Sequence, residues 1–198
     1  MNFLAHGLLG GEQPEVVTGS FLGDFYRGTL DESLSGDLRF GIQLHRHIDA
    51  VSNRLPGIRL SVARYPRSVR RFAPIFLDVL ADHFLARHFV QYWDGDLHQF
   101  TSRLYQQLQS TRSEMPPEAS RFVDHAFATN LLHRYANLPE IAQVYRSIER
   151  RFTRPMPGLA ESAFELSERL YSDLESDFHA YFPVLQNAAR EFSATKTC

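Results

Sequence analysis

Cysteine is almost absent from the 198-residue sequence: the only one, Cys198, is the last residue, so neither a disulfide framework nor a thiolate metal cluster can form. Lysine is nearly absent too, with Lys196 alone among 21 basic residues and arginine supplying the rest. No apolar run approaches the roughly eighteen residues that span a bilayer, and the opening Met1-Asn2-Phe3-Leu4-Ala5-His6 has neither the basic start nor the cleavage site of a signal peptide. The expectation is a cytoplasmic protein with no membrane partner. There is no Walker A loop, no G-x-G-x-x-G, no G-x-S-x-G elbow and no H-E-x-x-H. Zinc-finger and basic-zipper patterns are missing, and the arginines crowd into a proline-broken segment instead of a recognition helix, so nucleic acid is not an expected partner.

What is present suits one soluble domain. Hydrophobic residues make up 43% and aromatic residues 13%, enough to close a core at this length. The net charge of −2 conceals a strong asymmetry: between Asp49 and Asp78 there is no acidic residue, while Arg54, Arg59, Arg64, Arg67, Arg70 and Arg71 give that segment a charge of +6 and leave −8 on the rest. Arginine's planar fork binds carboxylate or phosphate oxygens in pairs, which points to an anionic partner; the alternative is a solvated face paired with acids elsewhere in the fold.

Apolar spacing predicts helices and no sheet. Leu38, Ile42, His45 and Asp49 form a stripe on a helix over 35–49 that begins after Ser33 and Ser35, and a second helix runs over 74–92 from Pro74. Further helices are expected over 96–109, 117–135, 140–152 and 159–180, divided by Asp94-Gly95, Met115-Pro116-Pro117, Leu138-Pro139 and Pro155-Met156-Pro157-Gly158. The expected architecture is one all-α domain over 1–192, a helical bundle, followed by a frayed tail over 193–198.

Histidines and aspartates fall at helical spacings. His45 and Asp49 share a helix face, Asp78 and Asp82 repeat the four-residue step, and His83 adds a nitrogen beside Asp82. If the two faces oppose each other, they offer the mixed nitrogen and oxygen set that suits Mn, Fe, Co or Zn better than Ca. The competing reading is a hydrogen-bonded structural network in which Arg46 or Arg87 neutralises the carboxylates. His6, after Phe3-Leu4-Ala5, and Asp24, within Phe21-Leu22-Gly23-Asp24-Phe25, are polar groups framed by apolar neighbours; each is either a satisfied core residue or aimed at a buried site.

Four segments together carry a family resemblance: Met1-Asn2-Phe3-Leu4-Ala5-His6; Leu22-Gly23-Asp24-Phe25-x-Arg27-Gly28; Gly41-Ile42-x-Leu44-His45-Arg46-x-Ile48-Asp49; and Leu77-Asp78-x-x-x-Asp82-His83-Phe84-Leu85-x-Arg87-His88. In order and spacing the chain resembles the acyl carrier protein phosphodiesterases over nearly its whole length. Ser20 departs from the pattern, standing where the family carries Asn. The resemblance implies a fold similar to HD-domain phosphohydrolases, although the adjacent pair here is Asp82-His83, the reverse of the His-Asp order of that superfamily. It also implies hydrolysis of the phosphodiester that joins 4′-phosphopantetheine to a serine of holo-acyl carrier protein. A divalent cation is implied, usually Mn2+, with Mg2+, Fe2+ or Co2+ as substitutes. The ligands it suggests are Asp24 first, then His45, Asp82 and His83, then His6, Asp49 and Asp78. Arg46 or Arg87 would stabilise phosphoryl charge and His88 or His47 would protonate the leaving serine. Arg59, Arg64, Arg67, Arg70 and Arg71 become the expected docking surface for the acidic carrier protein. Two rivals stay open: an HD-type phosphohydrolase that acts on a free nucleotide, and a non-catalytic helical module that binds an acidic protein and is indifferent to chelation.

Overall fold

Proline sets where many helices begin. Pro14 opens α2 (Pro14–Phe21) and Pro56 opens α4 (Pro56–Arg64), while Pro74 is the second residue of α6 (Ala73–Arg87). Pro117 and Pro139 play the same part in α8 (Pro117–Ala128) and α10 (Leu138–Glu149). Side-chain caps start two others: Ser35 accepts from the Leu38 amide at the head of α3 (Gly36–Ser52), and Asp96 forms a capping box with Gln99 at the head of α7 (Leu97–Ser110). The set is completed by α1 (Phe3–Leu9), α5 (Arg67–Arg70), α9 (Leu131–Arg134), α11 (Leu159–Arg169) and α12 (Tyr171–Ala194).

The structure, a computed structural model, describes residues 1–197. Among these residues the fold is all-α, with twelve helices and no strand. No helix is long and apolar enough to cross a membrane. Helix α6 runs through the core, with Phe76, Leu80, Phe84 and Leu85 essentially inaccessible, and packs against α1, α4, α10, α11 and α12. Aromatic rings fill much of the remaining volume: Phe178 and Phe182 of α12 stack at 5.0 Å, and Tyr92 meets both edge-on.

Four boundaries differ from expectation. The helix expected over 74–92 ends at Arg87, and a separate 3-10 turn follows over Phe89–Gln91. The 117–135 segment breaks at Asn130, which adopts a left-handed conformation (φ 50°) between α8 and α9, one that Asn tolerates better than most residues. The 159–180 segment divides at Leu170, where neither Gly nor Pro marks the interruption, so apolar periodicity runs straight across it. Finally, helix α12 continues to Ala194 and a 3-10 turn follows over Thr195–Thr197, with the Lys196 ammonium 2.9 Å from Asp37. The boundary expected at 193 is therefore too early; Cys198 lies outside the described residues.

The feature that positions the functional site is the crossing of α2 over α3. A Cβ on Gly19 would lie 2.3 Å from the Leu38 carbonyl oxygen, and one on Gly41 would lie 2.2 Å from the Val16 carbonyl oxygen. Only two glycines let the backbones approach this closely. The consequence falls on Ser20, the next residue of α2, and on His45, one turn beyond Gly41 on α3.

Candidate functional site

Because α2 and α3 touch at Gly19 and Gly41, the Ser20 carbonyl reaches the His45 ring, with Nδ1 at 2.8 Å. A carbonyl only accepts, so Nδ1 carries the hydrogen and the neutral ring presents its Nε2 lone pair on the other side. There Nε2 faces two carboxylates, Asp49 Oδ2 at 3.3 Å and Asp24 Oδ1 at 3.4 Å, yet has no hydrogen bond of proper geometry. A lone pair buried against two anions requires a cation between them, whether a proton or a metal. His6 closes the other side: its ring stacks on His45 with centroids 3.8 Å apart, and its Nε2 lies 3.2 Å from Asp49 Oδ1. The Ser20 hydroxyl donates to the His6 carbonyl at 2.8 Å, so this one residue steadies both histidines. Gly23 makes the approach of the third element feasible, since a Cβ there would sit 2.2 Å from the His45 ring; the 3-10 turn Gly23–Phe25 thereby brings Asp24 over the imidazole.

Electrostatics follow the same geometry. Burial works against a charge on His45, but the Asp24 and Asp49 carboxylates outweigh it and raise its pKa to about 9. Burial dominates at His6, whose pKa falls to about 4 despite Asp49. Asp24 is held below the ordinary carboxylate range by His45, and Asp49 is lowered by His45 and His6 in spite of its burial. Asp78 joins through the Met1 amino group, which lies 3.3 Å from Asp78 Oδ1 and 3.3 Å from Asp49 Oδ1. That ammonium, and neither Arg46 nor Arg87, neutralises Asp78. Arg46 instead donates to the carbonyls of Tyr26 and Gly28, at 3.0 and 2.8 Å, and Arg87 lies over the Tyr171 ring.

His6, Asp24, His45 and Asp49 thus come together, with Asp78 at their border. Asp82 and His83 do not join them. The Asp82 carboxylate accepts the amides of Leu4 (2.7 Å) and Ala5 (2.9 Å), satisfying the first turn of α1, and burial pushes its pKa up to about 7 against those two bonds. His83 donates from Nδ1 to the Tyr135 carbonyl at 2.7 Å and accepts at Nε2 from the Tyr171 hydroxyl at 2.8 Å, so both nitrogens are spent. The expected convergence of the two helix faces is corrected accordingly: Asp82 is one turn past Asp78 and turns its oxygens to the backbone of α1, whereas His83 turns to Tyr135 and Tyr171. His88 also makes its contacts elsewhere, with Glu175 at 2.7 Å in a second group completed by His179. His47 stacks on Phe192.

The arginine segment is only partly free. Arg64 is bound bidentately by Asp177 (2.8 and 3.0 Å) and by Asp173 (3.0 Å), and Arg70 donates to the carbonyls of Tyr65 and Ala63 at the end of α4. The expectation of Arg64 as a docking residue is corrected by that clamp between α4 and α12. Arg54, Arg59, Arg67 and Arg71 remain exposed. One residue not singled out from sequence is Arg27, which lines, with Arg46, the depression that exposes Asp24, His45 and Asp49. Its signal was present in the Asp24-Phe25-x-Arg27 spacing.

Fold and site together define an all-α domain with a buried imidazole and carboxylate centre beneath an arginine-lined opening. Residues 1–185 match the family model described as acyl carrier protein phosphodiesterase, and the chain belongs to that family. It is 33% identical over 193 residues to the acyl carrier protein phosphodiesterase of Escherichia coli O45:K1 (strain S88 / ExPEC), covering 96% of this chain and 99% of the relative. The proteins of that name from Shigella boydii serotype 18 (34% over 190 residues, covering 96% and 97%) and Serratia proteamaculans (33% over 192 residues, covering 96% and 98%) are similar to the same extent. No solved structure matches.

Proposed function

We propose that this protein hydrolyses the phosphodiester linking 4′-phosphopantetheine to a serine of holo-acyl carrier protein, releasing the apo carrier and 4′-phosphopantetheine, with a divalent cation, Mn2+ in the first instance, at the His6, His45, Asp49 and Asp24 centre. The observation that carries this reading is the buried Nε2 of His45, turned by the Nδ1 bond to Ser20 into the space between two carboxylates and without a hydrogen-bond partner there. Two imidazoles and two carboxylates form a donor set that suits Mn2+, Fe2+, Co2+ or Zn2+. The match with proteins named for this activity extends over the same residues.

When bound, the cation acts as a Lewis acid and lowers the pKa of an attacking water toward neutrality. The chain's own groups do the rest. Ser20 orients the His45 ring through its carbonyl, which supports the tautomer needed for coordination, and holds the backbone of His6 through its hydroxyl. Asp24, exposed at the rim, is the carboxylate nearest the open side, where a water would be held by accepting its hydrogen bond. Arg46 ties down the Tyr26 to Gly28 loop that carries Arg27, and the two guanidiniums supply positive charge where phosphoryl oxygens gain negative charge. Exposed Arg54, Arg59, Arg67 and Arg71 attract the acidic carrier. Kinship with HD-domain phosphohydrolases belongs to this proposal as well, with His45 and Asp49, four residues apart on α3, in place of an adjacent pair.

The test is the mass of holo-acyl carrier protein after incubation with the protein. The expected result is loss of the phosphopantetheine mass in Mn2+ and none after chelation. An unchanged carrier in Mn2+ contradicts the proposal; cleavage that chelation does not affect contradicts the metal; and turnover of free nucleotides alone favours the nucleotide phosphohydrolase.

A further inference from the structure

Asp24 stands in the wall of two separate cavities. One is the shallow, polar depression formed by Arg27, Arg46, His45 and Asp49. The other, of about 440 Å³, opens between α1, α8, α9 and α10 and is of the size that holds small organic ligands, roughly 300–1,000 Å³. Its chemistry is distinct. Phe3, Phe122 and Leu131 give it apolar walls, and α10 adds two parallel rows: Val144 and Ile148 on one, Gln143 and Ser147 on the other, with each pair four residues apart. Gln143 and Ser147 offer an amide and a hydroxyl, donors and acceptors without charge. Glu140, at the same wall, is already paired with Arg134. His125 and Arg151 join the lining; a channel that is apolar along one row and hydrogen-bonding along the other suits a chain in which alkyl groups alternate with amides.

A phosphodiester has two substituents, and a phosphorus held beside Asp24 sends one to each side. We propose that the cavity along α10 binds the pantetheine arm of the substrate, with its two amides against the Gln143 and Ser147 row and its dimethyl group against Val144 and Ile148, while the carrier protein's serine approaches over the Arg27 and Arg46 depression. This assignment rests on the phosphodiesterase reading above. It makes α10, remote from the metal centre in sequence, the element that selects the non-protein half of the diester.

The test compares Val144→Phe and Ser147→Phe, both at half-buried positions, with the unaltered protein on two substrates: holo-acyl carrier protein and bis(p-nitrophenyl) phosphate, a diester with no arm. Filling the channel should lower kcat/KM for the carrier, relative to that for the small diester, by roughly tenfold or more, equivalent to about 1.4 kcal/mol. The loss should appear mainly in KM, and free pantetheine, a competitive inhibitor of carrier cleavage by the unaltered protein, should lose that effect in the variants. Equal losses on both substrates, or undiminished carrier turnover by both variants, overturns the cavity assignment alone. An unaltered protein that cleaves the small diester but leaves the carrier intact overturns the substrate reading and this assignment with it.

Discussion

Two buried histidines, His45 on α3 and His83 on α6, have the same sequence credentials and opposite environments. Each has a carboxylate close by in sequence, Asp49 four residues after His45 and Asp82 immediately before His83, and each is held at Nδ1 by a backbone carbonyl that fixes its tautomer. They differ at Nε2. In His83 that nitrogen accepts from the Tyr171 hydroxyl, and its neighbour Asp82 accepts two amides, so the region is complete as folded. In His45 it faces Asp24 and Asp49 without a bond, the opening into which the proposed cation fits. Buried polar groups are nearly always satisfied, so the unpartnered Nε2 of His45 is the basis for proposing a cation there, and nothing at His83 calls for one.

The contrast is broken most severely at His45 itself. His45→Ala should lower turnover of holo-acyl carrier protein by about 100-fold or more while circular dichroism and thermal unfolding stay close to those of the unaltered chain. A stable variant with near-normal turnover removes His45 from the centre. Asp82→Ala should do the reverse: it strands the Leu4 and Ala5 amides and costs about 2–4 kcal/mol of stability by chemical denaturation. The remaining folded protein would still bind metal, and an Asp82→Ala protein of full stability would contradict the anchoring role.

A pH titration sharpens the same comparison. Burial lowers the pKa of His83 to about 4, below its ordinary value near 6.5, because the imidazolium would lose its hydration and face the Arg87 guanidinium. The unfolded chain therefore binds the proton first, so this contribution is complete above about pH 6.5 and is lost as the pH falls toward 4, with an amplitude on the order of 2 kcal/mol. Denaturant midpoints of the unaltered chain and His83→Gln, measured across that range, should converge at the acid end. Parallel curves would mean that another group controls the acid limb. The smallest effect is expected at the surface: Arg67→Glu with Arg71→Glu should weaken carrier turnover several-fold, more at low salt than at high, with little change for a small diester.

Much of this was legible in the sequence. The stripe Leu38, Ile42, His45 and Asp49 correctly placed two centre residues on one face, and Ser35 and Pro74 marked where α3 and α6 begin. The apolar frames around His6 and Asp24 pointed to polar groups aimed inward or poised at a site, and the structure brings both to His45. What could not be read was rotation about α6: Asp78 and Asp82 repeat the helical step, but which way each carboxylate turns depends on the amides of α1, contacts some 77 residues distant in sequence. Nor does spacing reveal that Arg64 is consumed by Asp173 and Asp177, since those partners lie on α12, more than a hundred residues away. The Gly19 and Gly41 crossing was likewise hidden, because each glycine has meaning only against the other backbone.

In the proposed centre the cation sits among His45, His6, Asp49 and Asp24 and not at any other cluster of donors. Crystals grown with Mn2+ and measured at its absorption edge should give an anomalous peak within coordination distance of His45 Nε2, His6 Nε2 and Asp49. A peak confined to His88, Glu175 and His179, or beside Asp82 and His83, would contradict it.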